Sequence, residues 1–115
     1  MTGLARVRSG EVPGARLVRV SGEIDLSNAH EVMDSISAAV PHDATRVILD
    51  LSTTAYLDSA GIAMVFRLAE RLAHRRQELR LVVPQHSPIR AVLELTDVPR
   101  VVPVEETVAE ASGSV

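Results

Sequence analysis

The chain has 115 residues, of which 46% are apolar, and this suits one domain with a single hydrophobic core. A formal net charge of -3, with 12 basic residues spread along the chain, argues against direct nucleic-acid binding. The absence of cysteine excludes disulfides and thiolate chemistry. Because no apolar run is long enough for a membrane span and Met1–Gly10 lacks a secretory pattern, we expect a cytoplasmic protein without membrane insertion.

The first third of the chain predicts a hairpin followed by a helix. Apolar and β-branched residues predict strands at Leu4–Arg8 and Leu17–Val20, joined by a turn over Ser9–Gly14. A second turn is predicted at Ser21–Asp25. Helical spacing of apolar residues then predicts a helix over Ser27–Val40, capped by the serine at its start.

The remainder alternates between strands and helices. An unbroken apolar run predicts a buried strand at Arg46–Leu51, and a helix follows from Ala60 to about Gln77. The later predicted elements are a strand at Leu79–Val83, a helix from Ser87 to Leu95, an edge strand at Val101–Val104 and a short helix at Glu105–Ala111.

This order predicts an α/β fold. We expect one domain over residues 1–115, with its core at about 4–110 and a short tail at 112–115. Its mixed, mostly parallel sheet is expected to have about five strands, with about four helices and right-handed crossovers.

Two loops carry the candidate functional residues, because functional groups of open α/β sheets gather beyond the carboxyl ends of parallel strands. One is Gly22–Asp25 and the other is Tyr56–Gly61. Ser59 is predicted at the start of a helix, where free N–H groups tolerate a phosphate. That phosphate would also change the charge beside Asp58 and Asp25. The alternatives are that Ser59 only caps the helix and that Asp25 only complements a helix dipole.

Three motifs in this order give the chain a family resemblance. They are Gly-Glu-Ile-Asp at Gly22–Asp25, Val-Ile-Leu-Asp-Leu at Val47–Leu51 and Asp-Ser-Ala-Gly at Asp58–Gly61. In this order they resemble STAS-domain anti-sigma factor antagonists over roughly residues 4–110. The resemblance implies a single STAS-like domain.

The resemblance also implies a non-enzymatic phospho-switch in bacterial stress signalling, without a cofactor or metal. The unphosphorylated protein would bind an anti-sigma factor that is a serine/threonine kinase, which releases the sigma factor. Phosphorylation of Ser59 would weaken this complex, and a serine phosphatase would restore the hydroxyl. The protein is expected to be a monomer or weak dimer. The predicted partner-binding residues are Asp25, Glu23, Asp58, Ala60, Gly61 and Ile62.

Three positions depart from the family pattern. Ala60 stands where a second hydroxyl residue is common, which makes Ser59 the sharper phosphorylation candidate. Ala63 and Asp97 stand where glycines are frequent, and the first of these changes bears on how closely a partner approaches the helix.

Other functions have weaker support in the sequence. Four isolated histidines, His30, His42, His74 and His86, lack the spacing of a metal site. A serine hydrolase would need a Gly-x-Ser-x-Gly elbow, and a nucleotide hydrolase would need a phosphate-binding loop, and both are absent. The basic cluster at His74–Arg76, with Arg80, either contacts an acidic partner or lipid headgroups, or complements a helix dipole. Two further roles stay open: a STAS scaffold subunit of a stress-signalling complex, and a cytoplasmic STAS partner of a membrane transporter.

Overall fold

The computed structural model describes residues 5–113. Leu4 of the predicted first strand and residues 114–115 of the predicted tail lie outside this range. Within these residues the structure has six strands, β1 (Arg6–Val12), β2 (Ala15–Ile24), β3 (Arg46–Asp50), β4 (Thr54–Leu57), β5 (Glu78–Val82) and β6 (Val104–Glu105). The same described range has five helices, α1 (Ala29–Ala38), α2 (Ser59–His74), α3 (Arg90–Glu94), α4 (Val98–Val101) and α5 (Val108–Ser112). The α/β fold with a mixed, mostly parallel sheet is therefore confirmed.

The strands form one sheet in the order β1-β2-β3-β5-β6, and β4 pairs with β2 outside this path. Only β1 runs antiparallel to its neighbour. Helices α1 and α2 cover one face with buried stripes such as Val32 and Ile36 from α1 and Val65 and Leu68 from α2. Helix α5 covers part of the other face, where Ala111 packs in a second, smaller core.

Strand β2 changes partners along its length. Residues 16–19 pair with β3, whereas residues 22–24 pair with β4. The register shifts between Gly22 and Glu23, and Gly22 has φ of 97°, a conformation that glycine adopts at little cost. The buried Thr54 hydroxyl donates to the Val20 carbonyl at 2.7 Å and joins the two strands where the change occurs. The ends of β2 and β4 consequently lie side by side.

Two predicted turns are wrong in position. Strand β1 continues to Val12, so the hairpin does not turn over Ser9–Gly14 but reverses at Pro13 and Gly14. Gly14 has φ of 80°, as tight hairpin turns require. The predicted Ser21–Asp25 turn is also wrong, because β2 continues to Ile24 through its pairing with β4.

The predicted edge strand at Val101–Val104 is largely replaced by helix α4 and the short strand β6. Proline lies in the first turn of α4, where its missing N–H costs no hydrogen bond. Asp97, which precedes this helix, has φ of -85°, so the glycine it replaces is not needed for a left-handed conformation. The last helix begins at Val108 instead of Glu105, because the Thr107 hydroxyl caps it by accepting from the Glu110 N–H at 3.1 Å.

Candidate functional site

Asp58 is the cap of helix α2. Its backbone is extended, with φ of -104° and ψ of -169°, and its Oδ1 accepts from the N–H groups of Ala60 at 2.9 Å and Gly61 at 3.1 Å. The alternative that Ser59 serves as the cap is therefore wrong. Ser59 is instead the first helical residue, with an exposed side chain. Within residues 5–113 its hydroxyl has no hydrogen-bond partner. No hydrogen bond in this region therefore has to break before another molecule contacts the hydroxyl.

The same carboxylate joins the two loops predicted to be functional. The Asp58 Oδ2 atom accepts from the Leu26 N–H at 3.2 Å, and the Asp58 N–H donates to the Ile24 carbonyl at 3.3 Å. The segment after β2 is thus fastened to the start of α2, which brings Asp25 and Ser59 to one edge of the sheet. We call this edge, made of residues 23–28 and 56–62, the Ser59 edge.

Asp25 organises the turn between β2 and α1. Its Oδ1 accepts from the Ser27 N–H at 2.9 Å and from the Ser27 hydroxyl. The Ser27 hydroxyl, helped by the backbone N–H groups of Ser27 and Asn28, lowers the pKa of Asp25 below its ordinary value. The prediction that Ser27 caps the first helix is wrong, because its hydroxyl donates a hydrogen bond to Asp25 and the helix begins at Ala29.

Asn28 is a site residue that the sequence reasoning missed. Its buried side chain accepts from the Asp25 N–H at 3.0 Å and donates to the Glu23 carbonyl at 2.8 Å. It therefore holds both acidic residues of the loop in place. The signal available in the sequence was the Asp-x-Ser-Asn spacing at Asp25–Asn28, which is typical of a turn closed by side chains onto the backbone.

Gly61 permits the close approach of α2 to the sheet. A Cβ atom at this position would lie 2.3 Å from Leu57 Cδ1 and 3.3 Å from Ile24 Cγ2. Gly61 is also buried, so it positions the helix start instead of offering a contact surface. Its predicted neighbours Ala60 and Ile62 are half-buried.

Apolar side chains accompany the acidic groups at the Ser59 edge. Leu26 is 83% exposed and lines a groove that Ser59 and Ala60 also line. Tyr56 is 49% exposed and lies opposite the exposed Glu23 in the β2–β4 pairing. Exposed apolar groups surrounded by polar residues are typical of protein contact surfaces.

The fold and this edge define a class of small α/β domain in which a helix begins at an exposed serine, next to the carboxyl ends of parallel strands. The family model of the STAS domain matches residues 7–111. The chain belongs to the STAS domain family. Within residues 5–113, no helix has the length and apolarity that crossing a membrane requires.

Relatives of the chain carry the name of anti-sigma factor antagonists. BtrV of Bordetella bronchiseptica, whose name gives it that role, is 27% identical over 105 residues, which is 90% of this chain and 89% of BtrV. The crystal structure of an anti-sigma factor antagonist from Mycobacterium paratuberculosis has a TM-score of 0.83 at 25% identity. That match covers 96% of this chain and 93% of the other.

SpoIIAA structures share the fold. The unphosphorylated form, an anti-sigma factor antagonist, has a TM-score of 0.70 and covers 92% of each chain. The phosphorylated form, from Bacillus, has a TM-score of 0.60 and covers 92% of this chain and 96% of SpoIIAA. Both are 21% identical to this chain, so the likeness establishes the fold alone.

Proposed function

We propose that this protein is an anti-sigma factor antagonist that docks through the Ser59 edge onto an anti-sigma factor with serine-kinase activity, and that phosphorylation of Ser59 ends the interaction. The observation that carries the proposal is the exposed Ser59 hydroxyl, unbonded within residues 5–113, at the start of α2. The names of BtrV and the Mycobacterium paratuberculosis protein support the antagonist role. SpoIIAA, solved in both phosphorylation states, supports the switch.

In this mechanism the protein is a substrate and a binding module, not an enzyme. The partner kinase supplies ATP and magnesium. The Ser59 oxygen attacks the γ-phosphorus, the bond to the β–γ bridging oxygen breaks, and a base on the kinase takes the hydroxyl proton. A serine phosphatase reverses the modification by hydrolysis. These steps take place in the cytoplasm, and the antagonist acts as a monomer or weak dimer.

The phosphate changes the docking surface without unfolding the domain. It adds roughly -1.5 to -2 charges, which the N-terminal end of α2 tolerates because free N–H groups and the helix dipole favour an anion there. The added charge lies beside Asp58 and in the groove with Leu26. A partner packed against a neutral hydroxyl would have to bury or repel that charge, which weakens the complex.

The remaining predicted residues divide into two roles in this proposal. Glu23, Asp25 and Asp58 supply negative charge for a basic partner surface. Ala60 and Ile62 supply small and apolar contact area on the first turn of α2, and Gly61 lets that turn lie against the sheet. Asn28 acts through Asp25 as a positioning residue.

The test uses the cognate kinase with ATP, intact-mass measurement and calorimetric binding. Ser59→Ala should remove the mass increase of one phosphate while retaining binding, and Ser59→Asp should weaken binding by tenfold or more, since about 1.4 kcal/mol corresponds to a factor of ten. Equal affinities of the two variants, or a phosphate that persists in Ser59→Ala, would contradict the switch.

Asp25 has a matched control in Asp43, which is exposed in the connection between α1 and β3, away from the Ser59 edge. Asp25→Asn should reduce kinase binding, because it removes a charge from the docking surface. Asp43→Asn makes the same change elsewhere and should leave binding unaltered. If both substitutions weaken binding equally, net charge and not the Ser59 edge governs docking.

A further inference from the structure

A groove between α1 and α2 runs from the Ser59 edge toward the carboxyl end of α2. Its upper part is lined by small and apolar side chains that include Ala29, Ala60 and Ala63, together with Ser59 itself. Its lower part is lined mainly by charged side chains. His30, Met33 and Arg67 line both parts, so the two form one continuous surface.

The two ends of this surface differ in charge. The upper end borders the carboxylates of the Ser59 edge. The lower end carries three arginines and one glutamate from α2 and the residue after it: Arg67, Glu70, Arg71 and Arg75. The chain as a whole has a net charge of -3, so this concentration of positive charge is local.

Two of these arginines form no side-chain hydrogen bond or ion pair in the described part of the chain. Arg71 donates to the Ser37 hydroxyl at 2.9 Å, whereas the side chains of Arg67 and Arg75 have no hydrogen bond or ion pair within residues 5–113. Arg75, just past the end of α2, complements the helix dipole. Arg67 lies in the middle of the helix, where the dipole has little effect, so the dipole does not explain it.

The walls of the groove suit an apolar ligand surface. Alanines at 29, 60 and 63 keep the space between the helices open. Leu26, which is 83% exposed, supplies exposed apolar area at the upper end, whereas Met33 and Met64 line the space but are buried. Helix α2 has 16 residues, so the groove is about 24 Å long, which is enough for about four turns of a partner helix.

We propose that this groove is a docking site for an acidic amphipathic helix of the protein partner that acts at Ser59. Apolar side chains of that helix lie over Leu26 and Ala63, and its carboxylates pair with Arg67 and Arg75. The inference rests on the proposed function, since it gives the chemistry of the same partner. It also fixes the orientation of the partner, because the acidic end of the helix must lie away from the acidic Ser59 edge.

The groove would therefore select among partners independently of the phosphate. Charge complementarity over Arg67 and Arg75 favours kinases that carry the acidic helix and rejects those with a basic one. Ser59 then decides when the selected partner is bound.

The test uses a probe that does not depend on the kinase. The probe is a peptide of about four helical turns with Leu and Met along one face and with Glu residues that border this face in its last two turns. Its control replaces every Glu with Lys. Amide shifts in ¹H–¹⁵N NMR spectra and calorimetry follow the binding of each peptide to the wild-type chain and to the double variant Arg67→Glu/Arg75→Glu.

A matched variant separates the groove from net charge. Arg6 and Arg8 are exposed on β1, and the residue between them, Val7, packs on the α1–α2 side, so both arginines face the opposite side of the sheet. Arg6→Glu/Arg8→Glu makes the same change in formal charge as the groove variant. The acidic peptide should shift Ala29, Met33 and Ala63, bind this control like wild type and lose at least tenfold in affinity for the groove variant.

Three outcomes would overturn the inference: no shifts up to about 1 mM peptide, equal binding of the Lys peptide, or equal losses in the two double variants. Failure of the kinase to modify Ser59 would remove the proposed switch and leave the peptide result standing. Failure of the peptide test would remove the groove as a docking site and leave phosphorylation untouched.

Discussion

Two regions of the molecule differ in what their polar side chains bond to. Beneath α5, Glu78 accepts from Arg46 Nε and Arg80 Nε, each at 3.0 Å. The same two arginines also donate to backbone carbonyls at the end of α5, to Ser112 at 2.9 Å and to Ala111 at 3.1 Å. We call this arrangement the α5 clamp. Each of its guanidinium groups has two partners, so the cluster is closed and stabilises the position of the last helix.

At the Ser59 edge, by contrast, some polar groups form hydrogen bonds and others are left exposed. Asp58 and Asn28 bond the backbone and hold the loops in shape, while the Ser59 hydroxyl, Leu26 and Tyr56 are left exposed. Polar groups that bond one another contribute to stability, whereas exposed groups on a rigid frame remain available for a partner. Within the Ser59 edge, the comparison separates residues that hold the frame, such as Asp58, from exposed residues such as Ser59. Loss of the first kind should destabilise the domain, and loss of the second kind should only weaken partner binding.

The largest expected effect comes from filling the space at Gly61. Gly61→Val places a branched side chain where even a Cβ would lie 2.3 Å from buried Leu57, so we expect a loss of about 2–3 kcal/mol in the free energy of unfolding. The control is Gly10→Val in β1, where a Cβ would meet nothing within 4 Å. Chemical denaturation of both variants measures the difference, and equal midpoints would show that α2 can move away from the sheet without cost.

The next largest effect separates Asp58 from Ser59. Asp58→Ala removes the cap of α2 and the bond to the Leu26 N–H, so it should cost about 1–2 kcal/mol. Ser59→Ala removes a hydroxyl without a partner in residues 5–113 and should change stability by less than about 0.5 kcal/mol. Thermal unfolding of the two variants checks this order. If Ser59→Ala were the more damaging change, the serine would be structural and its availability for modification would be in question.

The smallest effect is a pH dependence in the α5 clamp. Partial burial raises the pKa of Glu78, but hydrogen bonds from Arg80 and Arg46 outweigh this and lower the pKa below its ordinary value. A carboxylate with a lowered folded-state pKa stabilises the protein above its unfolded-state pKa, and that stabilisation is lost as pH falls through the folded-state pKa.

Glu78→Gln should therefore flatten the loss of stability on acidification, by less than about 1 kcal/mol because the Glu78 side chain is 43% exposed. Glu11→Gln, at a side chain that is 80% exposed, serves as the control. Unfolding free energies measured from neutral to acidic pH test the difference. If wild type and Glu78→Gln lose the same unfolding free energy on acidification, the Glu78 carboxylate does not contribute to the pH dependence.

The sequence predicted the parts of the fold that have a strong local pattern. The apolar run of β3 and the helical spacing of α2 are long enough to identify their elements, and the structure confirms both. Strand β4 was not predicted, because two of its four side chains are exposed and its extended form comes from pairing with residues 22–24 of β2. That pairing is a tertiary contact, which no window of sequence contains.

The candidate site shows the same division. The position of Ser59 at the start of a helix followed from the sequence, but Asp58 and Ser59 are both good capping residues, and only the extended backbone of Asp58 decides between them. The two loops were predicted to be functional because they lie beyond the carboxyl ends of parallel strands. They lie together through β4, which was missed. The roles of Ser59, Asp25 and the other predicted contact residues remain proposals.

The exposed position of Tyr56 gives the Ser59 edge an optical reporter of its own. The chain has one tyrosine, no tryptophan and one phenylalanine, so emission that is excited at wavelengths absorbed by tyrosine but not by phenylalanine comes from a single ring three residues before Ser59. A partner that covers this edge would change the solvent around that ring. The intrinsic fluorescence of the unlabelled protein is thus a signal from its candidate docking surface, with no contribution from the core.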